Sequence, residues 1–204
     1  MLPLQDQLKP IIDLYSKGEV QEALDSIEAL KKNYPNEPLI FNINGACFAG
    51  LGQLDSAIKC YKKAISISPN YADAHNNLGN TLKRVGELGK AVISLDKALD
   101  INPNHLDANY NLGSTLRELG KFKASIQNYQ KVINIKPNHF EAHFFIGVSY
   151  KKIKKIDLAI IHFEKTIILN PDYAPAYLNL GNIFGQINQS NKAIEYYKKA
   201  LIIK

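Results

Sequence analysis

The chain has 204 residues, and a composition of 46% hydrophobic and 22% charged places it among folded proteins, away from disordered, fibrous and membrane-embedded classes. Its formal charge of +6 comes from lysines spread along the whole length, with one dense run at Lys151, Lys152, Lys154 and Lys155; so mild a bias is not a nucleic-acid signature. Cys47 and Cys60 form no CxxC pair and have no metal-ligand spacing, which excludes a disulfide framework and predicts two thiols in a reducing compartment.

The N-terminal stretch carries Asp6, Lys9 and Asp13 where a signal peptide needs an apolar run. No later segment approaches the roughly 18 uninterrupted apolar residues of a membrane span, so the expectation is a soluble, cytoplasmic protein with no membrane partner. Residues 4–37 read as a weak first unit that keeps Gly18, Ala23 and Pro35 but has Pro10 where leucine is expected. Such degeneracy suits a solvent-facing cap. Units 38–71, 72–105, 106–139, 140–173 and 174–204 follow.

The unit 72–105 is the cleanest. Ala74, Leu78, Leu82 and Val85 recur three or four apart, and so do Leu88, Val92, Leu95, Leu99 and Ile101, which predicts two amphipathic helices. Gly86 lies between them, as Gly18, Gly52 and Gly120 do in other units, and glycine is the residue that takes φ > 0 at a helix C-terminus. Lys154 and Asn188 replace it later, and Lys154 predicts a strained or differently closed turn. Each second helix should end before Pro35, Pro69, Pro103, Pro137 or Pro171, five prolines spaced 34 residues apart. Asn70, Asn104, Asn138 and Asp172 come directly after four of them, with Asp73, Asp107 and Glu141 three residues on; this reads as a cap and an acidic first turn.

A second comb, Gly45, Gly79, Gly113, Gly147 and Gly181, has the same 34-residue period and falls inside each first helix. Glycine there costs about 1 kcal/mol relative to alanine. The repetition predicts a tertiary reason: a close approach of the paired helix at Ala57, Ala91, Ser125, Ala159 and Ala193, with Tyr61, Leu95, Tyr129, Phe163 and Tyr197 packed around the contact.

Tyr177-x2-Leu180-Gly181-x2-Phe184, Ala193-x3-Tyr197 and Ala200, and likewise His75-x2-Leu78-Gly79-x2-Leu82, Ala91-x3-Leu95, Ala98 and Pro103, resemble the pattern of the tetratricopeptide repeat (TPR). The resemblance covers nearly all of the chain. It implies an all-α fold, a right-handed α-solenoid of six helix-turn-helix units in one domain, 1–204, with first helices lining a concave groove where ligands lie.

On the groove face that the resemblance implies are Asn76, Asn77, Asn80, Lys83 and Arg84, then Tyr110, Asn111, Ser114 and Arg117, then Phe144, Phe145, Val148, Lys151 and Lys152, then Asn179 and Asn182. Asn77, Asn111 and Asn179 are equivalent positions, and a row of amides, each both donor and acceptor, suits an extended peptide backbone. A similar ladder occurs in the repeats of O-linked N-acetylglucosamine transferase; here Ile43 and Phe145 interrupt it. The carboxylate clamp of chaperone-tail binding members needs a lysine in the slot that holds Leu8, Asn42, Asn76, Tyr110, Phe144 and Leu178, so that clamp is not expected. The basic side chains Lys83, Arg84, Arg117, Lys151 and Lys152 favour an acidic peptide.

His139-Phe140-Glu141-Ala142-His143 misplaces the acid of HExxH, Gly86 to Lys90 lacks P-loop spacing, and no Ser, His and Asp constellation recurs on one face. The sequence thus predicts a non-enzymatic scaffold with no cofactor and no metal, whose partner is a protein or peptide. Asn188-Gln189-Ser190 fits a glycosylation sequon but lacks a secretion signal to give it meaning. The chain stops within its last second helix, at Leu201-Ile202-Ile203-Lys204, which leaves two further expectations. The repeats are the substrate-recruiting region of a larger, glycosyltransferase-like enzyme, or the C-terminal apolar face makes a homo-oligomer.

Overall fold

The structure, a computed structural model, describes residues 3–203, so the expectation attached to Lys204 lies outside the described residues. Among the described residues there are twelve α-helices and no strand. They fall into two compact units, Met1–Asn111 and Leu112–Lys204. The first holds α1 (Leu4–Ser16), α2 (Val20–Asn33), α3 (Pro38–Gly50), α4 (Leu54–Ile67), α5 (Ala72–Arg84), α6 (Leu88–Ile101) and the start of α7 (Leu106–Glu118). The second holds the rest of α7, then α8 (Phe122–Ile135), α9 (Phe140–Lys152), α10 (Ile156–Leu169), α11 (Ala174–Gln186) and α12 (Ser190–Ile202). The odd-numbered helices are the first helices of the predicted pairs.

The turn inside each pair is built as the punctuation predicts. Gly18, Gly52, Gly86 and Gly120 have φ between 73° and 83°. The turns also close alike: the N–H of Glu87 reaches the carbonyl of Leu82 at 2.9 Å, and that of Lys121 reaches Leu116 at 2.8 Å. At Lys154 the strained one of the two expected alternatives is found. The turn is not differently closed, because Lys155 N–H donates to the Tyr150 carbonyl at 2.9 Å in the same pattern. The strain is there instead, with Lys154 held at φ 60°, as is Asn188.

The capping expectation is corrected. Asn70, Asn104, Asn138 and Asp172 are not the N-caps; the helices begin two residues after each, and the residues that flank α5, α9 and α11 are Tyr71, His139 and Tyr173. His139 accepts from the Ala142 N–H, and His105 accepts from that of Ala108 at 3.4 Å, so imidazole supplies the cap where a short polar side chain was anticipated. The asparagine before the proline closes the turn: Asn102 Oδ1 accepts from Asn104 N–H at 3.1 Å and Asn170 Oδ1 from Asp172 N–H at 3.2 Å.

The glycine comb has a sharper cause than a small residue on the facing helix. A Cβ on Gly45 would lie 2.6 Å from the Tyr61 ring, on Gly79 2.6 Å from Leu95, on Gly113 3.1 Å from Tyr129, on Gly147 2.9 Å from Phe163 and on Gly181 2.6 Å from Tyr197. Each glycine therefore seats the large side chain 16 residues later, and the small residue one turn before that side chain lets the helices close on it. Ser125 adds a buried hydrogen bond of 2.7 Å to the Gly113 carbonyl.

Around these seats the cores assemble. In the first unit Leu8, Ile11, Ala23, Ile27, Ile40 and Cys47 form one cluster, and Ala57, Tyr61, Leu78, Leu82 and Ala91 another. In the second, Phe144, Phe163, Leu180, Ile183 and Phe184 pack with Ala159 and Ala193. Burial raises the Cys47 thiol to about 11 and also raises that of Cys60, so both behave as small apolar side chains rather than nucleophiles.

A candidate peptide-binding face on the first helices

In the first unit the predicted asparagines hold one another. Asn111 Nδ2 donates to Asn76 Oδ1 at 2.9 Å, Asn76 Nδ2 to Asn77 Oδ1 at 3.3 Å, Asn77 Nδ2 to Asn42 Oδ1 at 3.0 Å, and Asn42 Nδ2 to the Tyr71 hydroxyl at 3.3 Å. The chain of amides links α3, α5 and α7. Both interhelix bonds join a donor to an acceptor 35 residues earlier, one unit plus one position, so a 34-residue repeat with asparagine in two adjacent slots generates the network. Asn42 and Asn76 are buried, and these bonds satisfy polar groups that burial would otherwise penalise. A primary amide has two N–H groups and two lone pairs, so Asn77 uses half of its capacity in these contacts.

Beside the network lies a small cavity of about 180 Å³ lined by Asn77, Asn80, Thr81 and Arg84 with Tyr15 and Tyr61. Three predicted site residues thus meet around one polar recess. Arg84 is fixed there by a 3.0 Å bond from its guanidinium to the Ala49 carbonyl. Lys83 and Tyr110 lie on the same helices, α5 and α7, and are half-buried.

The second unit offers different chemistry. The Arg117 guanidinium lies 4.8 Å from the centre of the Phe145 ring, which stacks on Tyr129 at 5.7 Å with 19° between planes. Lys151 Nζ donates to Asn179 Oδ1 at 2.7 Å, and Asn179 Nδ2 donates back to the Pro175 carbonyl at 2.9 Å. Burial, with the charge of Lys152 second, lowers the Lys151 ammonium below its ordinary range. Ser114 is buried, whereas Asn182 is exposed and accepts from the Tyr197 hydroxyl at 2.8 Å. Phe145, which breaks the asparagine row in sequence, is here the ring over which the Arg117 guanidinium lies.

Sequence reasoning passed over Asn42 and Tyr71 as partners; the 35-residue offset between asparagine slots was the available signal. Among the described residues no group of three or more His, Cys, Asp or Glu side chains could hold a metal ion, and no helix is long and apolar enough to cross a membrane.

Family comparisons bear on the repeats. Sequence models described as TPR repeat match residues 48–86 and 113–154, and others described as tetratricopeptide repeat match 72–105, 94–127, 140–173 and 174–204. The crystal structure of MamA is similar with a TM-score of 0.74 and 30% identity, covering 77% of this chain and 92% of that one. YrrB, described as a TPR protein with an unusual peptide-binding site, gives a TM-score of 0.75 at 22% identity over 87% of this chain and 92% of its own, a likeness of fold. The peroxisomal targeting signal receptors of Candida glabrata and Saccharomyces cerevisiae are 31% and 30% identical over 64 residues, 31% of this chain but only 11% and 10% of theirs. The match thus spans about a tenth of the length of these curated relatives. The fold is accordingly an all-α helical solenoid, as the resemblance implies. The family matches run without a gap from residue 48 to 204, and the chain belongs to the tetratricopeptide repeat family.

Proposed function

We propose that this chain is a non-catalytic interaction module that holds an extended peptide or protein segment against the face of its first helices. The observation that carries the reading is the polar recess where Asn77, Asn80 and Arg84 converge on backbone-binding chemistry without a nucleophile or a general base among them. Arg117 over the Phe145 ring and Lys151 on Asn179 give the second unit positioned cations, which favours a segment carrying carboxylates. The peptide-binding description of YrrB, and the receptor names of the two yeast relatives, support a peptide as the ligand class. The same role fits repeats that recruit substrate for a catalytic part of a longer polypeptide, the arrangement that the transferase-like asparagine row suggests.

A random linear-peptide library selected against the chain tests the proposal. Recovered binders should be enriched in Asp and Glu, and their affinity should fall at least about fivefold in Arg84→Glu or Lys151→Glu, the scale of a lost charge-assisted contact. Binders whose affinity ignores both substitutions would contradict it.

The face of α12 supports a second reading, self-association, because Leu201 and Ile202 are 80% and 79% exposed. Light scattering on the chain, with Leu201→Glu and Ile202→Glu as comparisons, separates a dimer through this face from a monomer.

A further inference from the structure

The polar recess of the first unit, formed by side chains of α1, α3, α4 and α5, holds a positive charge and more open donors than an extended backbone would use. Asn77 gives one N–H to Asn42 at 3.0 Å and keeps the other. Asn80 is half-buried and makes no hydrogen bond to any described residue, so its whole amide is open to a ligand. Arg84 spends one N–H on the Ala49 carbonyl at 3.0 Å, which leaves the rest of the guanidinium fork. Thr81 adds no donor, because its hydroxyl gives its proton to the Asn77 carbonyl at 2.8 Å. Among the described residues that line the recess none is acidic, so nothing within it neutralises Arg84.

We infer that the recess is an anchoring pocket for one carboxylate side chain, Asp or Glu, of the segment held by the first helices. The inference rests on the peptide-binding reading above and gives the first unit a specificity pocket of its own. A volume of about 180 Å³ falls below the roughly 300–1,000 Å³ of small-molecule sites, so the recess admits a single side chain. Ala46 and Ala49, with the Tyr15 and Tyr61 rings, are apolar walls for a short aliphatic stem, and Asn77, Asn80 and Arg84 are the groups to meet its charged end. An ionised carboxylate only accepts, which matches a wall rich in N–H donors, and a guanidinium holds it by charge-assisted bonds. A lysine or arginine side chain would instead meet the charge of Arg84, and an amide would turn its own N–H groups toward donors. The bonds from Asn77 to Asn42 and from Arg84 to Ala49 set two of the three polar groups in place beforehand, which lowers the ordering cost of binding.

The test is amide NMR of the whole chain titrated with N-acetylglutamate N-methylamide, a probe with one side-chain carboxylate between blocked backbone amides. Saturable shifts of the Asn77 and Asn80 side-chain amides at millimolar affinity are expected. Blocked glutamine, of the same shape without the charge, should bind at least about tenfold more weakly, and Arg84→Gln should bring blocked glutamate down to that level. Asn80→Ala should weaken it at least about threefold, with circular dichroism verifying that both variants are folded. No saturable shift at Asn80, equal affinity for blocked glutamine, or tighter binding of N-acetylalanine, whose carboxylate is at the chain end, would overturn the assignment. The probe needs no selected peptide, so the two readings fail separately. If the library yields no binder while blocked glutamate saturates Asn80, the peptide reading fails and the carboxylate pocket stands; library binders without that saturation give the opposite result.

Discussion

Replacing glycine by alanine at three helical positions should give three different results in one protein. At Gly45 a new Cβ would sit 2.6 Å from the Tyr61 ring, which is 2% exposed. That is about 1 Å inside the favourable carbon–carbon separation. Overpacking of this kind costs about 1–3 kcal/mol, against a helix-propensity gain of about 1 kcal/mol, so Gly45→Ala should destabilise by up to about 2 kcal/mol. At Gly113 the distance to Tyr129 is 3.1 Å, the ring needs to give only a few tenths of an ångström, and the two effects should nearly cancel. Gly89 on α6 has nothing within 4 Å of its would-be Cβ, and Gly89→Ala should stabilise by about 0.5–1 kcal/mol. Urea titrations followed by far-UV circular dichroism, with m compared across variants, measure all three. If the three substitutions shift the midpoint in the same direction, the seat of the large side chain is not what selects glycine.

Other predictions follow from single contacts. Lys154→Gly relieves a residue held at φ 60° and should raise stability by about 0.5–1 kcal/mol in the same assay, with Asn188→Gly gaining less because asparagine tolerates that region better. A double-mutant cycle of Asn42→Ala and Asn77→Ala should return a coupling of about 0.5–1.5 kcal/mol; zero coupling would mean that the amide pair is incidental. Glu28 accepts from the buried Asn44 at 2.8 Å and pairs with Lys31. Partial burial pushes its carboxyl up, but the bonds from Lys31 and Asn44 and the charges of Lys31 and Lys32 outweigh this and hold it below its ordinary 4.5. Its contribution is therefore complete above about pH 4.5 and is lost as pH falls through the lower folded value, while its exposure keeps it below about 1 kcal/mol. Glu28→Gln should flatten that part of the stability profile measured by denaturation from neutral to acid pH.

How much of this was readable from residues alone depended on the range of the interaction. Helix ends and the αL turns are local, decided by Pro, Gly and their immediate neighbours, and those positions were placed from the repeat spacing. The contact at each glycine was legible in part: the large side chain 16 residues on could be set beside the close approach, but that this side chain, and not the small residue one turn before it, fills the place of the missing Cβ depends on its rotamer. Asn104 and its equivalents misled for a related reason. Asparagine favours both caps and Asx turns, and only the backbone path shows that Asn102 closes the turn while His105 caps the helix. The candidate site divides in the same way. Its residues could be set on one helix face by period, but that Asn77 and Asn111 reach Asn42 and Asn76, or that Phe145 carries Arg117, follows from contacts between helices that period alone does not specify.

The most direct test of the binding face is photocrosslinking of a selected peptide ligand from single sites on both kinds of helix. A crosslinking residue at Asn80 on α5 or Asn182 on α11 should capture the peptide, and one at Lys59 on α4 or Ile161 on α10 should not. Capture from Lys59 or Ile161 alone would contradict the account, placing the ligand on the second helices.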